Sequence, residues 1–157
     1  MKNVCVLAFM LFAVYGCSAI PSVEKGSPDG QVSLSFDPLE DKGVMYLYRD
    51  RESHFGLFIL DIYIGDETVE TSPACFVRIE LAPGTYFVEA DHPDTFGVED
   101  EMTFEAKKGQ VAFYEYKPIA RPVVPGETKI IARSREEAIS KIESQELCIS
   151  PVEHLSR

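Results

Sequence analysis

The residues that decide the fold are 75–90, CFVRIELAPGTYFVEA. The first seven alternate with a period of two, which places every second side chain, beginning with Cys75, on one face of a strand. A turn follows, because Pro83 presets φ and Gly84 accepts positive φ. Residues 85–90 are rich in strand formers. The stretch therefore predicts a strand, a tight turn and a second strand that returns antiparallel.

Stretches of the same kind continue outward on both sides. They lie at residues 31–36, 44–49, 58–64, 67–69, 102–106, 111–116 and 128–132. Turn residues separate them, and Gly65-Asp66 predicts a hairpin between the third and fourth of these stretches. Short strands at this spacing predict a mainly β fold. We expect an antiparallel β-sandwich of about seven strands that, with one C-terminal helix, occupies residues 43–149.

The chain changes its period after residue 133. Ser134 and Glu137 have the spacing of a capping box, in which each side chain accepts a hydrogen bond from the backbone of the other residue. Ala138 and Ile142 begin an apolar stripe on the helix that follows. We expect a helix of about 13 residues that ends by Cys148 and packs on one sheet or closes one end of the sandwich.

Composition and charge limit the classes of partner. The chain has 157 residues, of which 45% are apolar and 26% charged, and these are ordinary values for one folded domain. Residues 17–157 contain 14 basic and 26 acidic residues, a net charge of −12. A surface of this sign repels phosphate backbones. The sequence therefore argues against a nucleic-acid partner.

The N-terminal residues have the order of an export signal. Lys2 precedes an apolar run at 4–15, and Val14-Tyr15-Gly16-Cys17 follows. This tetrapeptide resembles the bacterial lipobox, in which an aliphatic residue and a small residue precede the cysteine that receives lipid. Tyr15 is bulkier than the residue usual at its position.

The lipobox resemblance implies that residues 1–16 are removed and that Cys17 carries lipid. Ser18, in place of aspartate, implies the periplasmic side of the outer membrane as the destination. Two alternatives stay open, namely an uncleaved membrane anchor over residues 4–20 and a secretory signal cut near Ala19. In the lipoprotein interpretation the partner of the N-terminus is a lipid bilayer.

Two segments lie outside the predicted domain. Residues 17–42 hold the lipidated cysteine and a stretch rich in Ser, Pro and Gly, which predicts a flexible tether. Residues 150–157 are expected to form a tail.

Several motifs together resemble a known group of proteins. They are GVMYLYR at 43–49, IYIGD at 62–66, LAPGTY at 81–86 and KGQVAFY at 108–114. The set resembles a family of bacterial envelope lipoproteins known only as a domain of unknown function. Its Pro-Gly-x-Tyr turn is similar to that of repeats named for a Pro-Glu-Gly-Ala motif. The resemblance implies a transthyretin-like or immunoglobulin-like sandwich and no catalytic residues.

Two cysteines remain in the predicted domain, Cys75 and Cys148. In an oxidising compartment such a pair forms a disulfide, which would tie the end of the helix to a strand. The alternative is two separate thiols, with Cys75 a small residue of the core.

Four tyrosines have two interpretations. Tyr46, Tyr48, Tyr114 and Tyr116 would form an aromatic face for glycan or protein binding. The favoured alternative is that they pack beneath the terminal helix, with their hydroxyls at its rim.

The remaining polar residues do not predict a catalytic or metal site. Residues 89–101 contain six carboxylates and His92, but they lack the spacing of a calcium loop, and we expect a solvated loop. Asp50, Glu52 and His54 follow one strand as a surface turn would. The sequence lacks the common hydrolase motifs. We therefore expect no metal, no cofactor and no enzymatic activity.

The functional prediction is a membrane-anchored lipoprotein that acts as a non-catalytic interaction or structural module with an envelope protein as its partner. The alternative is a periplasmic ligand-binding lipoprotein, accessory to transport or envelope assembly. Such a binder needs a concave apolar pocket of roughly 300–1,000 Å³.

Overall fold

A computed structural model describes residues 22–155, and ten strands in this range form two sheets. The strands are β1 (Gly43–Tyr48), β2 (Leu60–Ile64), β3 (Glu67–Thr71), β4 (Cys75–Leu81), β5 (Gly84–Ala90), β6 (Asp100–Ala106), β7 (Val111–Ile119), β8 (Glu127–Arg133), β9 (Cys148–Ile149) and β10 (Glu153–Leu155). The helices are α1 (Pro28–Ser35) and α2 (Arg135–Ser144). Across residues 22–155, neither the length nor the apolar content of any helix suffices for a membrane span.

The two sheets stack as a sandwich, and the predicted mainly β fold with a C-terminal helix is confirmed. One sheet has the order β10-β4-β1-β7-β8, with β9 also paired to β4, and the other has the order β3-β2-β5-β6. Most pairs are antiparallel. The pairs β1–β7, β4–β9 and β4–β10 are parallel. In this respect the fold differs from the antiparallel sandwich that the sequence predicts.

The strands at 75–81 and 84–90 exist, but they do not pair with each other. β4 lies in the six-stranded sheet, where β1 takes one edge and β9 and β10 take the other. β5 lies in the four-stranded sheet between β2 and β6. Both edges of each strand are occupied, so the turn at Pro83 carries the chain from one sheet to the other. The predicted hairpin between β2 and β3 is confirmed.

The apolar core fills the space between the sheets. Met45, Leu47, Ile62, Ile79 and Val88 are among its fully buried members. They occupy alternate positions of their strands, because successive side chains of a strand point to opposite faces.

A second apolar cluster covers the outer face of the six-stranded sheet. Phe36 lies at its centre, with its ring centroid 5.1 Å from that of Tyr46 and 6.2 Å from those of Phe76 and Phe113. Ile142 of α2 closes the cluster from above. β1 and β4 are therefore buried on both faces.

The predicted strand at 31–36 is wrong, because these residues belong to α1 and its C-cap. Ser27 is the N-cap and accepts from the backbone of Gly30, with Pro28 in the first turn. Phe36 ends the helix with a left-handed φ of 52°. The alternation of Val32 with its neighbours was too short to distinguish a period of two from a helical period.

The capping box of α2 is confirmed, and both of its hydrogen bonds are present. The helix is shorter than predicted and ends at Ser144. Its Arg135 donates to the backbone oxygen of Phe36 at 2.6 Å. The two helices thus contact each other and together cover the outer face of the six-stranded sheet.

The segments expected to be tether and tail both contact the domain. The backbone of Val23 donates to Ile149 at 2.7 Å. β10 lies in the predicted tail, and Leu155 is buried between the sheets. Ordered pairing therefore extends from Val23 to Leu155.

Candidate functional site

Three loops meet at one end of the sandwich, which we call the loop end. They are residues 50–59, 91–99 and 120–126. The first joins the third through a hydrogen bond from the Ala120 amide to His54 Nδ1 at 3.2 Å. The second joins the third through a 2.9 Å bond from the Val98 amide to Gly126. The three loops therefore form one connected surface.

Arg49 organises the base of the loop end. Its side chain is fully buried, and its guanidinium donates to the backbone oxygens of Phe58 at 2.6 Å, Thr71 at 2.8 Å and Phe55 at 3.0 Å. Its Cζ lies 5.8 Å from the ring centroid of Tyr116. Burial lowers the pKa of Arg49 to about 10, so the group remains charged at neutral pH. A buried cation thus fixes the backbone of the first loop.

His92 fills the centre of the loop end. Its side chain is 1% exposed, and its ring centroid lies 5.4 Å from that of Phe55 in an edge-on contact. Nδ1 accepts from the Asp94 amide at 3.1 Å. Nε2 therefore carries the proton that it directs to the Ile119 oxygen at 3.3 Å. One imidazole therefore connects all three loops.

Gly126 packs directly against this imidazole, and a methyl group there would overlap the ring. We expect Gly126→Ala to lower the free energy of unfolding by about 1–3 kcal/mol, because a methyl group added to a filled site displaces its neighbours. Chemical unfolding measures the loss. Gly56→Ala is the matched control in the first loop, where the nearest atom would be 3.6 Å away. Equal stability of the two variants would contradict the role given to His92.

The loop end exposes a group of large apolar side chains, which we call the apolar tip. Of the nine large hydrophobic residues exposed within residues 22–155, only Val32 and Phe87 lie elsewhere. Exposure reaches 94% for Leu57, 83% for Phe96 and 91% for Val123. The members of the apolar tip are Leu57, Phe58, Ile59, Phe96, Val98, Val123 and Val124.

An open cleft of about 480 Å³ lies beside the first loop. Its walls carry charges that neutralise one another in pairs. Lys141 Nζ lies 2.8 Å from Asp50 Oδ2, and Arg133 lies 2.5 Å from Glu115 Oε2. Charged side chains thus line the cleft, whereas the pocket expected for a ligand binder is lined mainly by apolar residues.

Two ionisable groups of the cleft, Tyr48 and Asp50, have shifted pKa values. Burial raises the pKa of Tyr48 to about 12, and Glu115 adds to the effect. Burial also raises the pKa of Asp50, but hydrogen bonds from Lys141, the Glu52 backbone and Gln145 outweigh it, so the net change is downward. A tyrosine that stays neutral and a carboxylate that stays ionised do not form a proton donor and acceptor pair for neutral pH.

Ser53 and His54 also line the cleft, but they are not arranged as nucleophile and base. Ser53 Oγ donates to the backbone oxygen of His54 at 3.1 Å. The Nδ1 of His54 is occupied by the Ala120 amide. Within residues 22–155, the Ser53 hydroxyl therefore makes no hydrogen bond to the imidazole of His54 that would activate it as a nucleophile.

The acidic stretch 89–101 brings three carboxylates together. Oxygens of Glu89, Asp91 and Glu99 lie within 4.8 Å of one another. Burial raises the pKa of Glu89, and its acidic neighbours raise it further. Tyr63 donates its hydroxyl proton to Asp91 Oδ2 at 3.1 Å. The group lies at the surface next to the loop end.

The four tyrosines do not share a face. Tyr46 and Tyr48 lie on the outer face of the six-stranded sheet beneath α2. Tyr114 and Tyr116 point to the opposite face, into the space between the sheets. The favoured interpretation, packing beneath the helix, holds for Tyr46 and Tyr48. The alternative of one aromatic face is not formed, because the two pairs occupy opposite faces of neighbouring strands.

The predicted disulfide between Cys75 and Cys148 is confirmed. The two residues are register partners in the parallel pair β4–β9, with their Cα atoms 4.3 Å apart. Cys17 lies outside the described residues.

No protein-family model and no curated protein matches this sequence.

The apolar tip was not among the predicted sites. Phe58 and Ile59 were counted in a strand that the structure begins at Leu60, and Phe96 lay within an acidic stretch. The sequence feature that could have revealed the apolar tip is the presence of uncharged apolar runs between the strands.

Proposed function

We propose that this chain is a lipid-anchored envelope lipoprotein whose sandwich is a non-catalytic interaction module. The lipobox-like sequence at Val14–Cys17 supports the anchor, and Ser18 supports the outer membrane as its address. The disulfide between Cys75 and Cys148 is compatible with an oxidising compartment outside the cytoplasm.

The apolar tip is the observation that carries the interaction role. Large apolar side chains grouped on a surface mark sites that contact a protein or a membrane. Here they sit on loops whose backbones are fixed by Arg49 and His92. A preformed surface loses less conformational entropy on binding than a flexible one.

A ligand-binding lipoprotein is the second candidate. The cleft of about 480 Å³ beside Asp50 and Lys141 has the volume for a small ligand. Its charged walls favour a small zwitterionic or polar molecule rather than an apolar one.

The anchor is tested by metabolic labelling with a radioactive or clickable fatty acid. We expect the wild-type chain to take up label and Cys17→Ser to lose it, because the thiol is the acceptor of the lipid. Cys5→Ser, which removes another N-terminal thiol, is the matched control and is expected to label as wild type. Equal labelling of wild type and Cys17→Ser would overturn the proposed anchor.

A further inference from the structure

We infer that the apolar tip inserts into the interfacial layer of the same bilayer that holds the lipid on Cys17. The inference rests on the proposed anchor and adds to it a second, non-covalent contact. It assigns the domain an orientation, with the loop end toward the membrane and the opposite end of the sandwich away from it.

The pairing of Val23 supports this orientation. Val23 is bridged to Ile149, and Ile149 pairs with Phe76 in the neighbouring strand. Phe76 pairs in turn with Tyr48, the residue before the buried Arg49. The N-terminal segment therefore enters the domain at the end of the sheet from which the first loop emerges.

The length of the preceding segment limits where the lipid can be. Five residues lie between Cys17 and Val23, and the six steps from one to the other span at most about 20 Å when fully extended. The opposite end of the sandwich lies a further strand length away, because β4 has seven residues. A lipidated Cys17 therefore holds the loop end near the bilayer more readily than the opposite end.

The chemistry of the apolar tip also favours lipid. Each loop contains an uncharged run, at residues 55–59, 95–98 and 122–126, in a chain that is 26% charged. Phe58 and Phe96 are 55% and 83% exposed, and aromatic rings are suited to the boundary between water and acyl chains. Apolar side chains add to the binding strength of a lipid anchor through the area they bury.

The negative charge of the protein indicates which lipid headgroups it can approach. A net charge of −12 on residues 17–157 opposes approach to anionic headgroups. The contact must therefore come from the apolar tip itself, and zwitterionic phosphatidylcholine is the appropriate test surface. A protein partner for the same surface is the competing occupant.

The chain contains no tryptophan, so a single reporter can be placed without a background signal. Phe96→Trp puts the reporter on the apolar tip. Phe87→Trp is the matched control, because Phe87 is 49% exposed on β5, away from the three loops. Each full chain is expressed with its N-terminal signal, extracted from membranes and reconstituted in phosphatidylcholine vesicles with and without brominated acyl chains. Fatty-acid labelling of the same samples is measured in parallel.

In labelled protein we expect the emission of F96W to shift to shorter wavelength and to lose intensity to brominated lipid, with F87W changing in neither respect. Labelled F96W that ignores brominated lipid and is quenched by aqueous acrylamide would overturn the insertion and leave the apolar tip to a protein partner. Equal quenching of both reporters would overturn the orientation. Absence of the fatty-acid label would instead overturn the proposed lipid anchor. A failure of the anchor is therefore distinguishable from a failure of the insertion.

Discussion

Replacing Arg49 with methionine is expected to lower the free energy of unfolding by about 3 kcal/mol. The guanidinium serves three backbone oxygens, those of Phe55, Phe58 and Thr71. A buried polar group left without a partner costs about 1–3 kcal/mol. Removing a buried charge offsets part of this loss, because burial already lowers the pKa of Arg49. Methionine keeps the apolar stem, so the loss reports the guanidinium, with its hydrogen bonds, its charge and its contact with the ring of Tyr116.

Chemical unfolding measures the loss, and amide hydrogen exchange locates it. Faster exchange is expected in residues 53–60, since Phe55 holds a left-handed φ of 58° that its bond to Arg49 helps to maintain. Arg51→Met is the matched control. Arg51 is exposed and bonds the Gln145 oxygen at 2.7 Å, and its loss is expected to cost less than about 1 kcal/mol. If both variants unfold at the same denaturant concentration, Arg49 does not organise the loop end.

Removing the disulfide is the second change with a large expected effect. Cys75 and Cys148 close a loop with a sequence separation of 73. In the chain-entropy model a loop of this size stabilises the folded state by about 4 kcal/mol. The double variant Cys75→Ser/Cys148→Ser is expected to lose about that amount in chemical unfolding. Serine is close to cysteine in shape, so little of the loss comes from a cavity, and the reduced wild-type protein separates the cross-link from the cost of a hydroxyl at the buried position 75.

A reducing agent supplies the control for this prediction. Dithiothreitol is expected to shift the unfolding midpoint of the wild-type domain toward that of the double variant and to leave the double variant unchanged. Free thiols, counted by mass spectrometry after alkylation, confirm the reduction. An unchanged midpoint in fully reduced wild-type protein would show that β9 and its neighbours hold their positions without the bond.

The local features of the fold were predictable because they depend on neighbouring residues. Alternation at 44–49 and 75–81 identified β1 and β4, and the spacing of Ser134 and Glu137 identified the start of α2. The disulfide was predictable as a pairing, since two cysteines remained in the domain. Its register between adjacent strands was not, because β9 has only two residues and leaves no periodic pattern.

Apart from the short helix α1, which was mistaken for a strand, the errors came from interactions between distant parts of the chain. The turn at Pro83 indicates a change of direction but not whether the next strand joins the same sheet. The aromatic face failed for the same reason, since Tyr46 and Tyr116 are assigned to opposite faces by the register of β1 with β7. The apolar tip requires that three loops meet, and His92, which joins them, has no sequence motif.

The packing of α1 and α2 on the outer face of the six-stranded sheet affects the order in which the domain can fold. β4 obtains its outer partners from residues 148–155, and Phe36 is held in place by Arg135. A chain that folds before residues 135–155 are in place therefore presents an open edge of β4 and the uncovered ring of Phe36. Exposed strand edges and apolar surface favour aggregation, and the pairing of residues 148–155 with β4 removes that edge.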